Sequence, residues 1–374
     1  MKLESISLKN FRCYKEIEVK LHPVITVFVG NNGHGKTALL DAIRIALWSY
    51  VSNFDLARSA YADPANTISV SDVLMLKTDN AMMARQLPSE IEITGNYGDG
   101  LTTWKRFRDS EAPRSQTKDD VSTQAMKKYA EKLQALIRNV NDEPVDLPVL
   151  GYYGTGRLWK EKRLTQSKKE SNLPIKIDPQ IENPVVLVQK AVNVLLKDTG
   201  WQNLVYSEIH DKSLILEHPQ NGILKVEQLS HGIRNMLAMI ADIAYRCVLL
   251  NSHLGVEAAL KSHGIVMIDE VDMHLHPHWQ QTVIDGLIRA FPNIQFIVTT
   301  HSPQLLTTVK KESVRLLKEK LDSDSGRVVL VVEIPEIQPK GTASSDVLAW
   351  LMDIDPVPDV EESNWLRNEH EITP

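Results

Sequence analysis

The chain opens in alternation. Met1-Lys2-Leu3-Glu4-Ser5-Ile6-Ser7-Leu8 sets apolar against polar side chains and predicts a half-buried strand over residues 4–8. A second strand is expected over 16–21. Residues 24–29 are short, largely apolar and rich in β-branched side chains, as in a parallel strand buried on both faces. The pattern then changes period: 36–50 reads as a helix, apolar nearly all round between Ala38 and Leu47, which suits a helix buried against a sheet. Residues 51–90 show no clear period, with turn residues at Asp63-Pro64-Ala65-Asn66. A hairpin is expected from 91–96 and 102–107 around Tyr97-Gly98-Asp99-Gly100. Helical spacing of Met126, Tyr129, Leu133, Leu136 and Ile137 predicts a helix over 123–140, and 147–153 reads as another apolar strand. Further on, a helix at 184–197 and strands at 204–210 and 213–217 are expected. A helix with the apolar face Ile233, Met236, Leu237, Ile240, Ile243 and Ala244 follows, then buried strands at 264–268 and 293–298. Strands alternating with helices predict an α/β fold with a mixed sheet, flanking helices and an antiparallel N-terminal subdomain.

Composition narrows the class. At 374 residues, with 43% hydrophobic and 24% charged content, the chain has material for an ample core. No apolar run approaches the roughly 18 residues that span a bilayer, and the N-terminus lacks the apolar core of a signal peptide. Cys13 and Cys247 form no metal-binding spacing. A cytoplasmic protein without membrane contact is expected. The net charge of −6 gives no global attraction to nucleic acid, so DNA contact would need a local basic surface. Lys105, Arg106 and Arg108, together with Lys160, Lys162, Arg163, Lys168 and Lys169 in the polar stretch 157–183, are the candidates.

The strongest chemical signal is Gly30-Asn31-Asn32-Gly33-His34-Gly35-Lys36-Thr37, a full G-x-x-x-x-G-K-[ST] between a predicted strand and a predicted helix. Glycines let consecutive N–H groups turn toward phosphate oxygens, and the helix adds its positive end. Lys36 is placed for the β and γ phosphates and the Thr37 hydroxyl for Mg²⁺. Asn31, Asn32, Gly33, His34, Gly35 and Ala38 complete the expected cradle for ATP. Asp269-Glu270 closes the strand at 264–268, on the sheet edge where α/β proteins bind ligands. Asp269 suits the Mg²⁺ shell and Glu270 suits activation of water. The next strand ends at Thr299-Thr300-His301, which puts an imidazole at the same edge.

Two weaker signals remain. Leu229-Ser230-His231-Gly232 opens a helix; Ser230 reads as its N-cap, and Gly232 admits close approach of a ligand. A serine in that position is most often an ordinary cap. Asp272-Met273-His274-Leu275-His276-Pro277-His278 invites a zinc reading, set aside because no separated fourth ligand is evident and Pro277 reads as a helix start.

In this order the motifs resemble the ABC-type ATPase head shared by RecF, SMC proteins and OLD-family nucleases. Ile6-Ser7-Leu8-Lys9-Asn10-Phe11-Arg12-Cys13-Tyr14 is similar to the N-terminal signature of that group, and the resemblance implies that Arg12 helps hold nucleotide. It makes 30–37 Walker A, 229–232 the ABC signature and 265–270 Walker B. Asp272 then falls in the D-loop and His301 becomes the switch histidine. It also implies a homodimer, or a higher homo-oligomer, in which Ser230 and Gly232 of one copy complete the site of the other. His231 and Ile233 stand where transporters carry Gly and Gln, and no glutamine marks a Q-loop at Tyr153-Gly154-Thr155. About seventy residues follow His301, too few for a Toprim nuclease domain, so the chain itself is expected not to be a nuclease.

The segments 151–159 and 341–348 look like the PtuA ATPases of bacterial anti-phage defence, found in Septu systems and some retrons. That likeness implies an HNH nuclease partner (PtuB-like), and admits a retron reverse transcriptase with its ncDNA, or direct DNA contact. The rival expectation is a RecF-like DNA repair ATPase. The expected organisation is an ATPase head over 1–310 with a helical or irregular insertion near 155–200, and a C-terminal strand and docking tail over 311–374. In that tail Leu348, Trp350, Leu351 and Met352 lie beside Asp353, Asp355, Asp359, Glu361 and Glu362, as a partner-docking segment would. Asp322 and Asp324 read as a hairpin turn.

Overall fold

The computed structural model describes residues 1–55, 57, 63–77, 82–98, 100–112, 114–139, 143–158, 184–321 and 328–356. At its centre lies a six-stranded sheet. From edge to edge the strands are Val328–Glu333, Val314–Leu321, Ile25–Gly30, Ile294–Thr299, Gly264–Ile268 and Val149–Tyr153. Only the Val328–Glu333 pairing is antiparallel. The apolar runs expected to be buried on both faces are so: every residue of Gly264–Ile268 and of Ile294–Thr299 is buried. Alternation within them sorts the side chains into two cores. Phe28, Ile265, Met267, Ile297 and Leu317 face the helix Lys36–Val51 and the N-terminal sheet. Val27, Val29, Val266, Ile268, Phe296 and Val298 face the helices His231–Leu250 and Val283–Ala290. The α/β architecture with an antiparallel N-terminal subdomain is borne out.

The N-terminal sheet runs Tyr14–Lys20, Lys2–Phe11, Ser89–Asn96, Leu101–Arg108 and Lys118–Asp119. A register shift between Leu3 and Ser5 explains why the buried positions pass from Leu3 to Ile6 rather than to Ser5. Buried Gln295 sutures this sheet to the central one: it accepts the Leu3 N–H at 2.8 Å and donates to the Leu3 carbonyl at 2.8 Å.

Several expectations change. Residues 51–90 are not wholly irregular; Met75–Lys77 and Met83–Arg85 pair as short strands. A third strand, Gly222–Lys225, extends the 202–218 hairpin. The helix Pro184–Leu196 belongs to the core rather than to a loose insertion, with Val192 and Leu196 fully buried. The expected boundary at 310 cuts the central sheet from its own strand, since Val314–Leu321, just beyond it, pairs with the phosphate-loop strand. The basic stretch 159–183, Asp322, Asp324 and the acidic residues 359–362 lie outside the described residues. Among the described residues no helix is long and apolar enough to cross a membrane.

Arg106 and Arg108, candidates for DNA contact, are internal. Both are 5% exposed. Arg106 pairs with Asp119 at 2.8 Å and donates to the Ile45 and Asn66 carbonyls, while Arg108 donates to the Ile68 carbonyl. Lys105 is ion-paired with Glu90 and Glu92. Strand alternation turns the two arginines inward, where they bind backbone carbonyls of the helix Lys36–Val51 and of the segment after it. Arg106→Leu leaves the buried Ile45 and Asn66 carbonyls without their donor and half-buried Asp119 with Lys127 as its remaining cation, and should cost about 2 kcal/mol in a urea melt. A stable variant would show that the pair is dispensable.

The tail is also partly internal. In the helix Ser344–Leu351, Val347 and Leu351 lie four apart on one face and enter the core. Trp350, to one side of that face, is 51% exposed. Of the apolar cluster read as a docking segment, Leu351 packs on its own domain and Trp350 faces solvent.

Candidate nucleotide-binding site

The site lies at the C-terminal edge of the parallel strands. After Ile25–Gly30 the chain turns through Gly33 (φ +87°) and Gly35 (φ +81°) into the helix that starts at Lys36. Glycine at 35 is required twice over. Its φ is left-handed, and a Cβ there would lie 2.5 Å from both Cys13 Sγ and Tyr14 Oη. The turn after Phe11 thus wedges beneath the loop, and Tyr14 Oη donates to the His34 carbonyl at 3.0 Å.

Sheet register brings the charged groups together. Thr37 Oγ1 donates to Asp269 Oδ2 at 3.0 Å, and Thr299 Oγ1 donates to Asp269 Oδ1 at 2.6 Å. The Glu270 N–H donates to Thr299 Oγ1 at 2.7 Å. Glu270 itself has φ +48°, a strained backbone for a glutamate at the end of a strand. Lys36 Nζ donates to the Gly30 and Asn31 carbonyls at 2.7 and 3.0 Å. Burial lowers the Lys36 pKa against the pull of Asp269, Glu270 and Asp272. Burial, and then the Lys36 charge, lower the His301 pKa, which keeps its imidazole neutral at neutral pH. The result is a cleft of about 310 Å³ lined by Arg12, Cys13, Asn32, Gly33, Gly35, Lys36, Thr37, Ala38, Asp269, Glu270 and His301.

Arg12 enters this cleft on a short ion-pair network, at 2.7 Å from Asp41 and 2.8 Å from Asp72. Burial opposes its charge, but the hydrogen bonds it donates to the Asp72 and Asp41 carboxylates outweigh that and raise its pKa. Asp272 does not line the cleft; it accepts from Thr300 Oγ1 at 2.5 Å, just beneath. Asn31 and His34 line a separate cleft behind the loop, where His34 Nδ1 lies 3.1 Å from the Leu317 carbonyl. Ser230 and Gly232 also stand outside. Ser230 is exposed and caps its helix weakly, accepting from the Ile233 N–H at 3.5 Å. The glycine at 232 answers to packing rather than to a ligand, for a Cβ would sit 2.1 Å from the His274 carbonyl. His276 Nδ1 accepts from the His278 N–H at 3.4 Å, and the described residues contain no group of three or more His, Cys, Asp or Glu placed to hold a metal.

The sequence reading missed Cys13, Asp41, Asp72 and Thr299. Asp41 carried a faint signal, one helical turn after Thr37. Asp72 carried none, since it reaches Arg12 from 60 residues away.

The oxygen donors of Thr37 and Asp269, 3.0 Å apart, suit a hard divalent cation such as Mg²⁺. A phosphate loop and an acidic pair on two strands flanking Ile294–Thr299, at the same edge of such a sheet, define an ABC-type P-loop ATPase head. Its fold is similar to the SMC head domain from Thermotoga maritima, with a TM-score of 0.51 and 14% identity over 90% of this chain and 100% of that one. A family model described as "AAA domain, putative AbiEii toxin, Type IV TA system" matches residues 25–307, and the chain belongs to this family. It is 39% identical to "Retron Vc95 probable ATPase" of Vibrio cholerae over 164 residues, 44% of this chain and 30% of that protein. It is 29% identical to "Septu protein PtuA" of Bacillus thuringiensis over 185 residues, 47% of this chain and 45% of that one. The matched parts therefore span less than half the length of these relatives. The expected resemblance to the RecF, SMC and OLD group, and within it to Septu and retron ATPases, is borne out.

Proposed function

We propose that this chain binds and hydrolyses Mg²⁺–ATP in the cytoplasm, between two copies of itself, and that the cycle regulates a separate nuclease subunit in anti-phage defence. One observation carries the reading. Lys36, Thr37, Asp269, Glu270 and His301 line a single cleft, whereas Ser230 waits at an exposed helix N-terminus outside it. A second copy docked head to tail, with two-fold symmetry, supplies that serine to the first copy's nucleotide and receives one in return.

Within each cleft the chain's groups divide the work. The loop N–H groups and Lys36 hold the β and γ phosphates. Thr37 and Asp269 hold the metal ion, which neutralises charge developing on the phosphate oxygens. Glu270 takes the proton from the attacking water, and neutral His301 fixes that water's orientation. ATP favours the closed pair because only the closed state gives it contacts from both copies. Loss of turnover by the purified chain on chelating Mg²⁺ tests the ATPase part.

The relatives named for Septu and retron systems support the nuclease partner, and the exposed Trp350 offers it an aromatic anchor of the kind that dominates interfaces. Trp350→Ala should weaken partner binding by roughly tenfold or more at an unchanged melting temperature. Leu351→Ala, at a core position, should lower the melting temperature instead. Calorimetric titration with each variant decides it; equal affinity of wild type and Trp350→Ala would remove the anchor.

A further inference from the structure

The strand Val149–Tyr153 ends in two tyrosines whose hydroxyls point to opposite halves of the molecule. Consecutive strand residues face opposite sides of a sheet. Tyr152 accordingly packs into the core of the helix Lys36–Val51, and Tyr153 into that of the helix His231–Leu250. Tyr152 Oη donates to Asp41 Oδ1 at 2.8 Å, and the other oxygen of Asp41 accepts from Arg12 Nη1 at 2.7 Å. Arg44 closes this side, 3.0 Å from Asp41 and with its guanidinium 4.6 Å from the centre of the Tyr152 ring. Tyr153 Oη donates to Asp242 Oδ2 at 2.7 Å, and Arg246 pairs with the same oxygen at 2.8 Å. Asp242 and Arg246 belong to the helix that Ser230 caps. Between them the Tyr153 carbonyl accepts the Asp269 N–H at 2.8 Å, which anchors the pair to the acidic edge of the cleft.

We propose that Tyr152 and Tyr153 are positioning residues with divided duties, one for each half of the composite site. Tyr152 acts through Asp41 and sets Arg12 in the chain's own nucleotide cleft. Tyr153 acts through Asp242 and sets the helix whose N-terminus completes the partner copy's cleft. A helix moves as a rigid rod over this length, so a hydroxyl bond at Asp242 fixes the position of Ser230 three turns away. Phenyl rings would fill the same space; only the hydroxyls join the two carboxylates. This rests on the shared-site ATPase reading, in which the two halves serve different kinetic constants. Arg12 acts on a nucleotide bound to its own chain, whereas Ser230 acts only when two loaded copies close.

Steady-state ATP hydrolysis by Tyr152→Phe and Tyr153→Phe, with a melting curve for each, tests the division. Loss of one buried hydroxyl bond should shift one constant by about five- to tenfold. Tyr152→Phe should raise KM with kcat nearly kept, and Tyr153→Phe should lower kcat with KM nearly kept. Asp41→Asn and Asp242→Asn address the same contacts from the opposite side and should reproduce the KM and the kcat effect respectively, whatever the fate of the tyrosine variants. Parallel changes in both constants for both tyrosine variants would overturn the proposal. So would unchanged kinetics accompanied by a lowered melting temperature, since that is the behaviour of packing alone. If wild type shows no turnover and Lys36→Ala binds ATP as wild type does, the ATPase reading itself fails and this proposal goes with it.

Discussion

Lys36→Ala should abolish tight ATP binding, whereas Glu270→Gln should keep ATP bound and stop its turnover. The two residues line the same cleft but act at different stages. Lys36 carries a buried ammonium whose present partners are two loop carbonyls. Phosphate oxygens are stronger acceptors for it, and each charged hydrogen bond is worth about 1.5–3 kcal/mol. Losing it should raise the Kd for ATP by roughly a hundredfold. Glu270 makes no comparable contact with the ground state. Its amide analogue still hydrogen-bonds water but accepts a proton poorly, so turnover should fall by roughly 10²–10⁴-fold. Fluorescent-nucleotide binding and phosphate release, measured on both variants, separate the roles. Equal loss of affinity in the two would refute the assignment.

Ser230→Arg should leave ATP affinity intact and remove turnover almost entirely. Ser230 is exposed and lies outside the cleft of its own chain, so no cis contact is lost. Its helix cap is already long at 3.5 Å, so the fold loses little. In the closed pair proposed above, the same position would face the partner's phosphates. A bulky arginine there blocks the approach of the first helical turn, which Gly232 holds tightly against the His274 carbonyl. Analytical ultracentrifugation with a slowly hydrolysed ATP analogue should show monomers for Ser230→Arg and dimers for Glu270→Gln. Mixing Ser230→Arg with Lys36→Ala restores at most one complete site per pair. Wild-type turnover by the purified Ser230→Arg chain would sink the shared-site model.

The phosphate loop and the acidic pair of the candidate site were legible from the sequence because they sit in local patterns. A strand, a glycine turn and a helix in succession are enough to specify 30–37. An acidic pair after five apolar residues marks 264–270 in the same way. The tail and the basic positions were not legible in this manner. Leu351 and Trp350 are neighbours in sequence but lie about 100° apart around one helix, and only the surface it packs on decides which is buried. Arg106 looked like a surface cation until strand register turned it toward the Ile45 and Asn66 carbonyls.

By itself, then, the sequence determined the α/β class, the phosphate loop, the acidic edge and the cap at Ser230, all set by backbone periodicity and turn chemistry within a few residues. Tertiary structure alone decided which of these groups share a cleft. Parallel register set Asp269 against Thr37, 232 residues apart, and the N-terminal sheet set Arg12 against Asp41 and Asp72. It also turned Asn31 and His34 to the back of the loop and closed Gly232 against His274. Such contacts depend on how layers stack and where strands pair, and those are settled by burying both faces of the central sheet at once, which no local window of sequence encodes.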